Sequence, residues 1–131
     1  HFTGELICTF SKKSRKPLSA LSLSSLPAAI TAWSNDFGYE TFFKRQVEAN
    51  GRNGDVLFLL STGGGDIKSK TSINLVLAAK EAKKRKMKII SLVGKNGGFL
   101  KKFSDIGLHV NSFDTACIQE AHMSILHCIC V

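Results

Sequence analysis

This 131-residue chain has few prolines, no long apolar run and no CxxC pair of cysteines. Only two prolines occur, Pro17 and Pro27, and neither lies in a proline-rich linker. No apolar stretch approaches the roughly 20 residues that a membrane span needs, and the first residues lack both regions of a signal peptide. Repeats and low-complexity tracts are also missing from the sequence. These absences exclude a membrane-spanning or repeat protein, and we expect no membrane partner.

The composition is that of a folded domain. Hydrophobic residues make up 44% and charged residues 21% of the chain, which allows a sizeable core and excludes a disordered polyelectrolyte. The length suits one domain, so residues 1–131 are interpreted as a single unit. The chain begins with His1 rather than Met and stops inside an apolar run. We therefore expect a fragment or a truncated gene product.

The four cysteines are Cys8, Cys117, Cys128 and Cys130, and none forms a CxxC pair. Three of them crowd into the last helix-like segment, whereas a disulfide framework would space them through loops. Free cysteine is commonly a core residue. The pattern predicts buried, reduced thiols and a cytoplasmic protein.

Positive charge exceeds negative charge, with 18 Lys and Arg against 10 Asp and Glu, a net charge of +8. Such an excess suits nucleic acid or anionic small molecules. The basic clusters at 12–16 and 80–88 contain few aromatic residues, and stacking on nucleic acid would require aromatics among the cations. Cations at a helix end complement its dipole. We interpret these clusters as solvated faces rather than a nucleic-acid surface.

Strand and helix patterns alternate along the chain. Continuous apolar runs bounded by turn signals predict buried parallel strands over 55–61, 87–93 and 106–110. Alternating leucines predict a further strand over 18–25. Helices are expected over 1–9, 28–33, 39–49, 69–86, 97–103 and 115–131, with a turn at 35–38. The order predicts an α/β fold, a three-layer sandwich around a mainly parallel sheet.

A glycine loop, Ser61-Thr62-Gly63-Gly64-Gly65, follows the first apolar run and precedes a predicted helix. Its backbone N–H groups, its hydroxyls and the helix N-terminus could surround a phosphate. It matches neither the Walker pattern nor GxGxxG. A plain tight turn is the alternative interpretation.

Two helical segments, one near each end of the chain, carry polar residues that could bind a ligand. His1 and Glu5 are separated by one turn, a spacing that lets an imidazole and a carboxylate converge on a metal or a substrate. At 100° per residue, Gln119 and His127 lie about 80° apart and can share a face, whereas His122 points further round. Each histidine taken alone is more often a satisfied structural or surface residue than a ligand. The residues by themselves indicate an α/β domain that binds a phosphorylated ligand.

Several strings of the chain, in register from end to end, resemble the sedoheptulose 7-phosphate isomerases, also called phosphoheptose isomerases. They are His1–Leu6, Asn35–Glu40, Arg45–Ala49, Gly54–Leu57, Gly94–Gly98 and Ile118–His122. The resemblance implies the SIS (sugar isomerase) fold, a flavodoxin-like sandwich, and a homotetramer with active sites between subunits. It also implies that an amino-terminal helix, a first strand and a Gly-Asn-Gly-Gly-Ser loop of the family are missing from residues 1–131.

The resemblance implies an aldose–ketose isomerase that converts sedoheptulose 7-phosphate to D-glycero-D-manno-heptose 7-phosphate through an enediol, for lipopolysaccharide or surface-glycan synthesis. By similarity Glu5 is the base and His127 the acid. One zinc ion per subunit is expected, held by His1, Glu5, Gln119 and His127. The substrate-binding residues implied are Asp36, Ser61, Thr62, Gly63 and Gln119.

The chain departs from the family in the phosphate loop. The family's Ser-Thr-Ser-Gly-Asn-Ser is Ser61-Thr62-Gly63-Gly64-Gly65-Asp66 here, so two hydroxyls are lost and Asp66 is expected to put a negative charge beside the phosphate. The basic residue one turn after the catalytic glutamate is replaced by Thr9. These departures leave two alternatives open: a non-catalytic SIS protein that binds a phosphosugar or regulates a partner, as replication-initiator-binding relatives do, and a degraded paralogue.

Overall fold

The computed structural model describes residues 1–11 and 14–131, so Lys12 and Lys13 of the first basic cluster lie outside the described residues. A short helix opens the chain and an irregular segment leads to two further helices around a 3-10 turn; a strict alternation of strands and helices follows. The elements are α1 (Phe2–Ile7), α2 (Pro27–Phe37), the 3-10 turn (Tyr39–Thr41), α3 (Phe42–Asn50), β1 (Val56–Ser61), α4 (Ile73–Lys84), β2 (Lys88–Val93), α5 (Gly98–Phe103), β3 (Ile106–His109) and α6 (Thr115–Cys130).

The three strands form one parallel sheet in the order β1-β2-β3. Ser61 at the end of β1 pairs with Val93, which pairs with His109. The carboxyl ends of the strands therefore meet at one edge, where open α/β sheets bind their ligands. The predicted α/β class and parallel sheet are confirmed.

The core lies between the sheet and α3, α4 and α5. Because side chains alternate along a strand, Leu57 and Leu59 of β1 and Ile89 of β2 share one face, and all three are buried against this helical layer. Burial of each such side chain contributes roughly 1.5–3 kcal/mol. The helical residues of this cluster are Val47, Ala78, Ala79, Ala82 and Leu100.

Helix α1 lies on the other face of the sheet. Phe58 points away from the core face, and its ring centroid is 4.8 Å from that of Phe2. Helix α1 in turn contacts α6. Helices therefore cover both faces of the sheet, as a three-layer sandwich requires.

The strand predicted over 18–25 is wrong. Leu18 and Leu21 are exposed, and the backbone forms a turn in which the Ser25 N–H and hydroxyl both donate to the Ser22 carbonyl, at 3.2 and 2.7 Å. Serine hydroxyls offer the backbone local partners that compete with a strand ladder. The segment is nevertheless anchored, because the Gln46 side chain donates to the Leu23 carbonyl.

The third strand was expected to be buried, and that expectation is also wrong. Ile106 is 52% and Leu108 37% exposed, because β3 is the edge of the described sheet. At the other end, α2 runs through the predicted turn to Phe37 and stops at Gly38, whose φ of +87° ends the helix.

The prediction of buried thiols is wrong for three cysteines. All four are free, but Cys8, Cys117 and Cys128 are exposed and only Cys130 is buried. Cys130 continues the inward stripe of α6, which places Cys128 on a different face of that helix.

Within residues 1–11 and 14–131, no helix combines the length and the apolar character needed to cross a bilayer.

Candidate functional site

A cavity of roughly 440 Å³ opens at the carboxyl end of β1, between α4 and α6. Its size falls in the range of small-molecule sites. Three hydroxyl side chains, one amide and one imidazole provide its polar lining. These residues are Ser61, Thr62, Ser72, Gln119 and His122. The structure thus brings together three of the predicted substrate-binding residues, namely Ser61, Thr62 and Gln119.

The glycine loop is fixed by backbone packing against the start of α5. The Leu100 N–H donates to the Gly64 carbonyl at 2.9 Å, and the Phe99 N–H donates to the Gly65 carbonyl at 2.8 Å. Gly64 has φ +72°, and a Cβ there would lie 1.9 Å from the Gly97 carbonyl oxygen. Gly64 is therefore required by the fold, whichever ligand the loop binds.

Gly63, the predicted binding residue in this loop, is different. A Cβ built on it meets no heavy atom within 4 Å. Beside it, the Ser61 hydroxyl accepts from the Gly64 N–H at 3.0 Å. Open space at Gly63 therefore adjoins an ordered hydroxyl of the cavity.

Asp66 forms its hydrogen bonds within the loop that precedes α4. Its Oδ1 accepts from the Ser69 N–H at 2.6 Å and the Ser69 hydroxyl at 2.9 Å, and the Ser69 backbone bond is the main reason that its pKa is lowered. The Asp66 N–H donates to the Thr71 carbonyl, closing a turn ahead of α4. Asp66 is exposed and does not line the cavity, and its effect on a bound phosphate stays a prediction.

Ser72 is the functional residue that the sequence interpretation missed. Helix α4 was predicted from residue 69, but it begins at Ile73, with Ser72 preceding it at φ +47°. Ser72 lines the cavity together with Ser61 and Thr62. A Thr71-Ser72 pair just ahead of a helical apolar pattern is a start signal that could have located it. Ser72 adds a hydroxyl residue to the cavity wall, beside the positive end of the α4 dipole.

The predicted acid–base residues meet where α1 packs on α6. His1 Nε2 lies 3.0 Å from His127 Nε2 and 3.6 Å from Glu5 Oε1. The Phe10 ring stacks on the His127 ring, with centroids 4.9 Å apart. At 3.0 Å one imidazole donates a hydrogen bond and the other accepts it, with the roles set by the tautomers of the two rings.

Arg15 holds the end of α1 that carries Glu5. Its guanidinium donates to the Glu5 carbonyl at 2.6 Å and the Leu6 carbonyl at 3.1 Å. These are carbonyls of the last turn, which a helix leaves without internal partners. Arg15 thus brings a cation close to Glu5, although Thr9 stands where the family has its basic residue.

The donor chemistry at this junction suits zinc, which favours histidine nitrogen and carboxylate oxygen. His1, Glu5 and His127 converge, whereas Gln119 lines the cavity instead. In the described part of the chain, no group of three or more His, Cys, Asp and Glu side chains is arranged as a metal site. The donor set fits the ion in its chemistry, and zinc binding stays a prediction.

Asp36 lies apart from both groups. It is exposed near the end of α2, and its Oδ1 accepts from the Asn35 amide at 2.9 Å. It does not line the cavity. Its role in substrate binding stays a prediction.

Comparison with known proteins agrees with the fold. The SIS domain model matches residues 18–128. The phosphoheptose isomerases of Helicobacter pylori (strain P12) and Leptospira biflexa (strain Patoc 1 / Ames) are 46% identical over 130 residues and 41% over 131; each alignment covers 99% of this chain. A phosphoheptose isomerase structure from Francisella tularensis has a TM-score of 0.88 at 38% identity and covers 99% of this chain and 66% of its own.

The chain spans 64% of the length of these two curated relatives. The interpretation of residues 1–131 as one domain without its first helix and strand stays a prediction.

Proposed function

Because this chain belongs to the SIS domain family, we propose that it acts as an aldose–ketose isomerase on sedoheptulose 7-phosphate, producing D-glycero-D-manno-heptose 7-phosphate. One observation carries the proposal. A hydroxyl-lined cavity and a His–Glu–His group both include residues of α6. The first suits a phosphate and the second suits proton transfer beside a carbonyl. The product would supply heptose for lipopolysaccharide or another surface glycan.

The cavity is the proposed phosphate end of the site. The hydroxyls of Ser61, Thr62 and Ser72 and the amide of Gln119 are hydrogen-bond donors for phosphate oxygens. The N-terminus of α4 adds positive potential beside Ser72. Because the glycine loop is packed against α5 and bonded to the Ser61 hydroxyl, that hydroxyl is held in place before the ligand arrives.

Glu5 and His127 are the proposed proton-transfer pair. Glu5 takes the proton from the carbon beside the carbonyl, and the electron pair of that C–H bond forms the enediol double bond. His127 gives a proton to the carbonyl oxygen at the same time, so charge does not build up on that oxygen. Glu5 then returns its proton to the former carbonyl carbon, while His127 takes the proton of the neighbouring hydroxyl, whose oxygen becomes the new carbonyl. Both residues end in the state in which they began. His1, 3.0 Å from His127, is placed to orient that ring.

Zinc is part of the proposal, with His1, Glu5, Gln119 and His127 as its ligands. When bound, the ion would polarise the carbonyl oxygen of the substrate. His1 and Glu5 are best supported by their convergence with His127, and Gln119 is least supported because it lines the cavity. Elemental analysis tests this set: His1→Ala should lower the zinc content of the purified protein while its circular dichroism stays the same.

A homotetramer and a cytoplasmic location complete the proposal. Large apolar side chains stay exposed on the sheet, including Val56 at 54% and Ile106 at 52%. Such side chains suit burial between subunits. Sedimentation measurements would test the tetramer. A monomer at all concentrations would contradict it.

Turnover of sedoheptulose 7-phosphate is the direct test. Glu5→Gln keeps the size of the side chain and removes the base, so kcat should fall by about 10² to 10⁴. Glu48→Gln is the matched control, because Glu48 pairs with Lys44 and Arg45 on α3. Equal activity in the two variants would remove Glu5 from the mechanism. No turnover by the unmodified protein would overturn the proposed function.

A further inference from the structure

His122 lies in the cavity wall and takes no part in the proton transfers proposed above. It belongs to the inward stripe of α6, one turn from Ile118 and one turn from Leu126, and is 5% exposed. A histidine in an apolar stripe is costly to bury unless both ring nitrogens have partners. Helical spacing alone places it further round the helix than Gln119 and His127.

Only one of its ring nitrogens is satisfied. The ring hydrogen-bonds to the Val93 carbonyl, while Nε2 is buried without a partner in the described part of the chain. The bond to Val93 is therefore assigned to Nδ1, which must donate because a carbonyl accepts. Burial lowers the pKa of His122, which keeps the ring neutral. Nε2 then presents a lone pair and acts as an acceptor.

His122 lines the cavity, and its unpaired acceptor can form a hydrogen bond only with a group that donates. The doubly ionised phosphate group of a sugar phosphate has only acceptor oxygens and cannot donate to a neutral imidazole nitrogen. A sugar hydroxyl can donate. The other polar side chains of the cavity, on Ser61, Thr62, Ser72 and Gln119, include donors suited to the phosphate. The unpaired atom of His122, in contrast, can only accept a hydrogen bond.

We propose that His122 Nε2 accepts a hydrogen bond from a hydroxyl of the bound phosphosugar, and that this contact distinguishes the sugar phosphate from inorganic phosphate. The inference rests on the proposed function, since it takes the cavity to be the phosphosugar site. His122 is thereby a specificity-determining residue, and Glu5 and His127 remain the proton-transfer pair.

Nitrogen-15 NMR of the histidine rings in the unmodified protein tests this without a substitution. The free protein should show a neutral His122 ring with unprotonated Nε2. Sedoheptulose 7-phosphate should shift that resonance in the direction of an accepted hydrogen bond, and sulfate, a dianion with no hydroxyl to donate, should not. His109 is the internal control, because its two ring nitrogens already meet Lys101 Nζ and the Lys95 carbonyl.

The possible results separate the inference from the proposed function. If the sugar phosphate moves the amide resonances of Thr62 and Gly63 but leaves His122 Nε2 in place, the inference is wrong and the proposed function stands. A hydrogen-bonded Nε2 in the free protein also overturns the inference, because a neighbouring side chain then occupies it. If the sugar phosphate moves no resonance, both are wrong.

Two substitutions give an independent readout. His122→Leu removes the acceptor and should weaken sugar phosphate binding about tenfold, mostly as a rise in KM, with inorganic phosphate binding unaffected. His122→Gln keeps an acceptor oxygen near the position of Nε2 and should recover part of the loss. Equal weakening of sugar phosphate and inorganic phosphate in both variants would show a structural role only and overturn the inference.

Discussion

The cavity and the His1–Glu5–His127 group share α6 but are built in opposite ways. The cavity depends on buried backbone, with Gly64 packed against Gly97. The proton-transfer group depends on α1, a six-residue helix with no buried residue. Helices this short are not stable by themselves. The cavity, proposed to bind the phosphate, is thus part of the core, whereas the group proposed to transfer protons is attached to it through α1.

The largest effect is expected where the cavity meets the core. Gly64→Ala would put a Cβ 1.9 Å from the Gly97 carbonyl oxygen at a φ of +72°. Both the clash and the left-handed backbone disfavour the side chain, so we expect a loss of roughly 3 kcal/mol or more in unfolding free energy. Denaturant unfolding followed by circular dichroism measures it.

Gly63→Ala is the matched control for that change. A Cβ at Gly63 meets nothing within 4 Å, and we expect a change within about 0.5 kcal/mol. If the two alanines destabilised the protein equally, the contact between the two glycine turns would not be the cause.

The same contrast explains what the sequence could predict. The parallel strands β1 and β2 were predictable because the apolar runs in Val56–Ser61 and Lys88–Val93 can be recognised from neighbouring residues alone. The convergence of His1 with His127 was predictable only through the family resemblance. No local pattern joins residues 126 positions apart.

The misplaced elements share one physical reason. Ser22 and Ser25 redirected a predicted strand into a turn, and Asp66 closed a turn that delayed α4 to Ile73. In each case a short polar side chain bonded to nearby backbone, which hydrophobic periodicity does not register. Ser72 was missed for this reason, although it lines the cavity.

A second expected effect concerns the attachment of α1. Arg15→Gln removes the donors to the Glu5 and Leu6 carbonyls. Since Glu5 is then held less firmly, we expect kcat to fall about tenfold while KM changes little, because the cavity is untouched. Steady-state kinetics measures the split.

Arg52→Gln is the control for the lost charge, because Arg52 lies in the exposed turn between α3 and β1. The unfolding free energy of Arg15→Gln should stay within about 1 kcal/mol of the unmodified protein. A rise in KM with constant kcat would place Arg15 in substrate binding instead.

A smaller effect of pH on stability should arise from the cavity side. Burial lowers the folded pKa of His122, so the unfolded chain, with a pKa near 6.5, takes up the proton first. The stability contribution is complete above about pH 6.5 and is lost as the pH falls below it. The lowered carboxyl pKa values of Asp66 and Asp105 act only at lower pH.

Unfolding free energies measured between about pH 5 and 7.5 cover the relevant window. His122→Gln should flatten the decline. An unchanged slope in that variant would assign the decline to another group.

The smallest expected effect uses the one open position of the glycine loop. Gly63→Ser places a hydroxyl beside Ser61 and Thr62, in space that no heavy atom occupies within 4 Å of the new Cβ. A hydrogen bond to a charged oxygen is favourable, but the added side chain must be ordered to form it. We therefore expect inorganic phosphate to bind about two- to fivefold more tightly, as measured by calorimetry.

Gly63→Ala fills the same space without a hydroxyl and should leave the affinity unchanged. If both variants bound phosphate equally, the cavity would gain nothing from a donor at this position. The phosphate would then lie nearer Ser72 and α4 than the glycine loop, which would move the binding half of the site away from the backbone that fixes it.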